Sequence, residues 1–141
     1  MREMKKITGL LMAMLLMLSA CGSVPLTGRK QVLLVSDQEV LSSSLTQYSD
    51  YMKSATKSSD KNESAMVTRV GKKIAAATEA YLKANGMESE IKNFQWEFNL
   101  VKDNQINAFC MPGGKIVVYE GLMSLVSSDD ELAVVVGHEV A

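Results

Sequence analysis

Hydrophobic and polar positions change rhythm several times along the chain. Ile7 to Ala20 is a nearly unbroken apolar run. Ser23 to Gln31, with Pro25, Gly28, Arg29 and Lys30, has no period and reads as a tether leading into a short apolar stretch, Val32 to Val35, where order begins. Ser36-Asp37-Gln38-Glu39 has the spacing of a capping box. It predicts a helix from Asp37 to about Lys53 that buries Val40, Leu41, Leu45, Tyr48 and Met52. Ser54 to Ser64, rich in Ser, Lys, Asp and Asn, reads as a solvated loop. From Met66 the apolar positions Met66, Val67, Val70, Ile74, Ala77 and Tyr81 form one helical stripe, which Asn85-Gly86 stops.

The rhythm then shifts to period two. Phe94, Trp96, Phe98 and Leu100 alternate with Asn93, Gln95, Glu97 and Asn99, the pattern of a half-buried strand whose aromatic face packs under helices, the alternative being an aromatic-binding groove. Asp103-Asn104 turns the chain, Ile106 to Met111 is a second extended segment, and Pro112-Gly113-Gly114 makes a hairpin connection to a third strand, Lys115 to Tyr119. Gly121 breaks that strand and Leu122 to Val126 forms a short helical turn. Ser128-Asp129-Asp130-Glu131 repeats the capping-box spacing, with carboxylates at the positive end of a last helix. Leu132, Ala133, Val134, Val135 and Val136 make that helix apolar nearly all round and predict burial at the domain centre. There is no internal repeat and no Gly-rich phosphate loop.

Composition narrows the function. In 141 residues, 15 Lys and Arg stand against 16 Asp and Glu. Without residues 1–20, which hold Arg2, Lys5, Lys6 and Glu3, the balance is 12 to 15 and the net charge near −3. That leaves no nucleic-acid footprint. Two cysteines, Cys21 and Cys110, make no disulfide framework. Cys110 sits in an extended apolar stretch and reads as core packing. Half of the ten methionines fall in the first 17 residues, which argues against a Met-rich binding surface.

The amino terminus carries an address. Arg2, Lys5 and Lys6 before an apolar run of 14 residues make a secretory signal, too short for a stable membrane-spanning helix. It ends Leu18-Ser19-Ala20-Cys21, which resembles the lipobox of bacterial lipoproteins. On that resemblance residues 1–20 are a signal peptide, Cys21 becomes the lipidated amino terminus, and residues 21–31 tether a domain that starts at residue 32. Acyl chains, at roughly 0.8 kcal/mol per buried CH₂, would hold the protein to a membrane facing the periplasm.

The chemistry is concentrated at the other end. Gly137-His138-Glu139-Val140-Ala141 sets the sole His of the chain beside a Glu on the last helix. A zinc-peptidase helix needs His-Glu-x-x-His, because two His one turn apart reach the same Zn²⁺ and the Glu between them takes a proton from the attacking water. Four of those five positions are present.

Asn107-Ala108-Phe109, Pro112-Gly113-Gly114-Lys115-Ile116-Val117-Val118, Gly121-Leu122, Asp130-Glu131-Leu132-Ala133 and Gly137-His138-Glu139 resemble, in order and spacing, the zinc metallopeptidase family that includes HtpX, the CAAX prenyl protease and the mitochondrial Oma protease. Leu26-Thr27-Gly28-Arg29-Lys30-Gln31 and Leu33-Leu34-Val35-Ser36 are similar to the start of its lipid-anchored bacterial members. The resemblance implies a gluzincin-type α+β domain with a short mixed sheet against a buried active-site helix. It implies His138 as first Zn²⁺ ligand, Glu139 as general base, and Lys115, Ile116, Val117, Val118 and Tyr119 as an edge strand that receives substrate backbone. Substrates would be proteins or peptides of the bacterial cell envelope. The sequence departs from the family by stopping at Ala141, before the second His and the downstream glutamate. With one imidazole where a catalytic zinc takes three protein ligands, the 141-residue chain alone is expected to be an inactive fragment. The alternative is a non-catalytic, lipid-anchored remnant that keeps the sheet for binding envelope proteins.

Overall fold

The computed structural model describes Cys21–Ser23, Lys30–Val32 and residues 35–141. The leader 1–20, and with it the signal-peptide expectation, lies outside the described residues. Residues through Ser36 and residues from Asp37 onward are two separate units. In the first, β1 (Cys21–Ser23) pairs antiparallel with β2 (Lys30–Val32), Cys21 standing opposite Val32. The expected tether thus contains a small strand pair, and strands of three residues are too short for a period to announce.

The second unit begins with α1 (Asp37–Ser54), as the capping spacing predicts. Its buried side chains are Ser44 and Tyr48, while Val40 is exposed. Next comes α2 (Lys61–Ala84), which starts five residues earlier than the apolar stripe alone predicts. Asp60 is its N-cap, the carboxylate accepting from Glu63 N at 2.9 Å, so the end of the expected loop is helix. Val67, Val70, Ala75 and Leu82 face inward. Ala77 and Tyr81, expected in the stripe, are exposed, because one helical position is a turn of about 100° and the contact line runs through their neighbours. The helix stops at Asn85-Gly86 as expected: Gly86 N donates to Lys83 O and Met87 N to Leu82 O, a Schellman ending.

A 3₁₀ turn, Glu88–Asn93, leads into the strands. Regular pairing begins only at Glu97, giving β3 (Glu97–Val101), followed by β4 (Ala108–Met111) and β5 (Lys115–Tyr119). Phe94 lies before the strand and stacks on Trp96, with ring centroids 4.6 Å apart. Pro112-Gly113-Gly114 does close a hairpin: Met111 pairs with Lys115, and both glycines have positive φ. The sheet order is β3-β5-β4, with β5 parallel to β3 and antiparallel to β4. After β5 come α3 (Glu120–Met123) and α4 (Asp129–Val140).

The unit is α+β, with helices on both faces of a mixed sheet. On one face Leu100, Ile116 and Val118 pack with Val67 and Val70 of α2 and with Leu132 and Val136 of α4. On the other, Val101 and Val117 pack with Tyr48 of α1. Ile116, Val117 and Val118 are 1% exposed or less, and full burial of such side chains contributes roughly 2 kcal/mol each. The apolar run of α4 behaves differently from expectation. Only Leu132 and Val136 are fully buried, and Val134 is 75% exposed. Three successive valines span some 200° of helix surface, whereas α2 and β4 cover one side.

Candidate active site

The first turn of α4 is fixed by side-chain hydrogen bonds. Ser128 Oγ accepts from Glu131 N at 3.3 Å, as the spacing predicts. The reciprocal bond closes one residue earlier than in a standard box: Glu131 Oε2 accepts from Ser127 N at 2.7 Å and Ser127 Oγ at 2.9 Å. Those bonds hold the Glu131 carboxyl below the usual carboxylate range. Asp129 accepts from Arg69 Nε and Nη2, each at 2.6 Å, which ties α4 to α2.

Leu132, which closes that turn, and Val136, one turn further on, lock the helix into the core, and Val140 packs against the same cluster. Between those anchors the last turn presents His138 and Glu139, both exposed. Glu139 lies near β4. Burial first, and then the Glu139 charge, push the Cys110 thiol up to about 11. Cys110 is half-buried against the core, its Sγ donating weakly to Met111 O at 3.6 Å, and with so little thiolate it fits packing better than nucleophilic chemistry.

The expected substrate strand needs correction. Lys115, Ile116, Val117, Val118 and Tyr119 form β5, the middle of the sheet, with both backbone edges taken by β3 and β4. Its first four residues are buried and cannot receive an added strand. The edge beside α4 is β4, Ala108–Met111, whose outer side has no strand partner among the described residues. Strand order is the reason: a hairpin read from sequence does not say which of its arms lies inside the sheet. The signal that could have found β4 was the extended segment Ile106 to Met111 itself.

Among the described residues no three His, Cys, Asp or Glu side chains are gathered as a metal site would require. His138 is one suitable imidazole donor, exposed in the last turn of α4. By itself it does not fit the three-ligand requirement of catalytic zinc.

The chain belongs to peptidase family M48, which matches residues 67–141, the stretch from the first core residue of α2 through His138 and Glu139. It is 47% identical over 58 residues to the mitochondrial metalloendopeptidase OMA1 of Arabidopsis thaliana, covering 41% of this chain and 12% of that protein. It is 40% identical over 53 residues to the Schizosaccharomyces pombe protein of that name, covering 38% and 16%. With the human metalloendopeptidase OMA1 it shares 28% identity over 120 residues, 83% of this chain and 22% of that protein. The chain therefore spans less than a quarter of the length of these relatives.

Proposed function

We propose that this unit is the amino-terminal part of a zinc metalloendopeptidase domain, with His138 as a metal ligand and Glu139 as general base. The observation that carries the reading is the family match over residues 67–141, which ends on the helix that holds both side chains. Zinc, when bound, supplies Lewis-acid activation of water. Further ligands must come from residues other than those described, since His138 alone cannot hold it. Glu139, solvent-exposed beside β4, is free to carry a proton to the leaving amine. The outer edge of β4 is the natural place for a substrate backbone, because an extended peptide there can add its main-chain hydrogen bonds next to the end of α4.

We further propose a bacterial envelope protein anchored through lipidated Cys21 and acting on envelope proteins. The basic start, the apolar run and Leu18-Ser19-Ala20-Cys21 support this reading, although the relatives above carry mitochondrial names. No helix among the described residues is long and apolar enough to cross a membrane. Labelled-acyl incorporation that disappears in Cys21→Ala is the expected result; unchanged labelling removes the anchor.

The catalytic reading is tested in a longer chain that contains these residues. Glu139→Gln should abolish cleavage of an unfolded protein substrate and keep the metal content, while His138→Ala should lower both. Full activity in Glu139→Gln excludes it as the base.

A further inference from the structure

The sheet has a second open edge, on the far side of β5 from β4. There the stretch Thr56–Ser58 runs antiparallel to the end of β3: Lys102 N donates to Thr56 O at 2.7 Å and Ser58 N to Leu100 O at 2.9 Å. Those bonds show that Leu100 and Lys102 turn their backbone groups outward. By strand alternation Phe98 does so too, while Glu97 points inward, its N donating to Gly114 O. The chain leaves the edge at Asp60 to start α2, so the ladder stops after Leu100. Phe98 N–H and C=O have no partner among the described residues.

An open cleft of about 830 Å³ lies along this unpaired half. Trp96 and Phe98 on the sheet, with Leu45 and Met52 of α1, give it apolar walls. Its charge is one-sided. Lys53, Lys57, Lys72 and Lys115 line it, against the single carboxylate of Glu97. Glu97 is already neutralised by buried Lys115, whose Nζ lies 3.7 Å away and also donates to Gln95 O. Lys53 pairs with Asp50 in its own helix, but Lys57 and Lys72 have no ion pair among the described residues and are exposed. On a chain of net charge −1, this leaves a cationic rim around an unfinished hydrogen-bond ladder.

We propose that this edge is a docking site for an extended acidic peptide segment, which adds as a further strand beside Trp96–Phe98 and sets carboxylates against Lys57 and Lys72. Backbone pairing would supply the strand geometry, the apolar walls would take alternate side chains, and the lysines would select for charge. The site is two strand spacings, about 10 Å, from β4, and its readout is binding, so it stands or falls separately from the catalytic reading.

The test uses the full chain and a fluorescent peptide of alternating Glu and Val, followed by anisotropy. Saturable binding is expected, weakened at least about tenfold by the double variant Lys57→Glu, Lys72→Glu and by replacing Glu with Lys in the peptide. Methylating alternate peptide amides should weaken it similarly, a comparison that leaves the protein untouched. Circular dichroism checks that the variant folds. No saturation up to about 1 mM, equal binding of the Lys peptide, or indifference to amide methylation would each overturn the proposal. So would self-association that blocks the peptide and survives the lysine reversals, since it would assign the edge to a second copy.

Discussion

Asp129, the first residue of α4, accepts both of its hydrogen bonds from Arg69 in the middle of α2, at 2.6 Å each. The pair joins the helix carrying His138 to the longest helix of the unit. It also places a carboxylate at the positive end of α4.

Arg69→Ala should therefore lower the thermal unfolding midpoint at neutral pH, and about 1 M salt should shrink the difference. Arg69 holds the Asp129 carboxyl below the usual carboxylate range. A lowered folded pKa gives stability that is present above the unfolded value, about 3.9, and lost as pH falls through the folded one. Wild type and variant should therefore draw together as pH falls below about 4 and converge only once it has passed the lowered folded value; a gap that persists beyond that would mean that Arg69 acts through packing.

Cys110 carries the opposite sign. Its thiol is pushed up to about 11, by burial before the Glu139 charge. Between the unfolded value, about 8.5, and 11, the unfolded chain loses the proton first, so stability falls as pH rises through that window. Alkylation by iodoacetamide should be slow at pH 7.5 and accelerate towards pH 11. Glu139→Gln should move that midpoint down only part of the way; complete return to 8.5 would make the carboxylate, rather than burial, the main cause.

Leu132 and Val134 separate the two sides of α4. Leu132 is 0% exposed and Val134 75%. Leu132→Ala should cost about 2–5 kcal/mol in urea unfolding, and Val134→Ala should stay within about 0.5 kcal/mol. Similar losses at both would contradict the one-sided burial of this helix.

Gly121 sits where a side chain cannot. A Cβ built there would meet Asn104 O at 2.2 Å and Gln105 O at 2.4 Å, and Gly121 N donates to Asp103 O at 2.9 Å. Gly121→Ala should destabilise by about 1–3 kcal/mol, read as a lower urea midpoint with an unchanged slope. An unaffected midpoint would mean that the Asp103–Gln105 turn shifts freely.

Much of this was legible in the sequence because its physics is local. The start of α1 after Ser36, the Asn85-Gly86 stop and the Pro-Gly-Gly hairpin follow from spacing and turn chemistry. The Asp60 cap is equally local: Asp60-Lys61-Asn62-Glu63 has capping-box spacing inside a polar stretch whose composition alone reads as loop. The pairing of His138 with Glu139 on one helix was readable for the same reason.

What the tertiary structure alone decided is which local elements become neighbours. Sequence period gives each strand two faces but no position in the sheet, so nothing local distinguishes β5, the central strand, from an edge. Hydrophobicity of α4 fixed that it packs, and the placement of α2 and β4 fixed that only Leu132 and Val136 go fully inside. The nearness of Glu139 to Cys110, 29 residues apart, and the lysine rim drawn from α1, the Lys57 stretch and α2 exist only after folding. Hydrogen-bond spacing along a chain is set by covalent geometry, whereas the order of strands is set by the summed burial of all of them together.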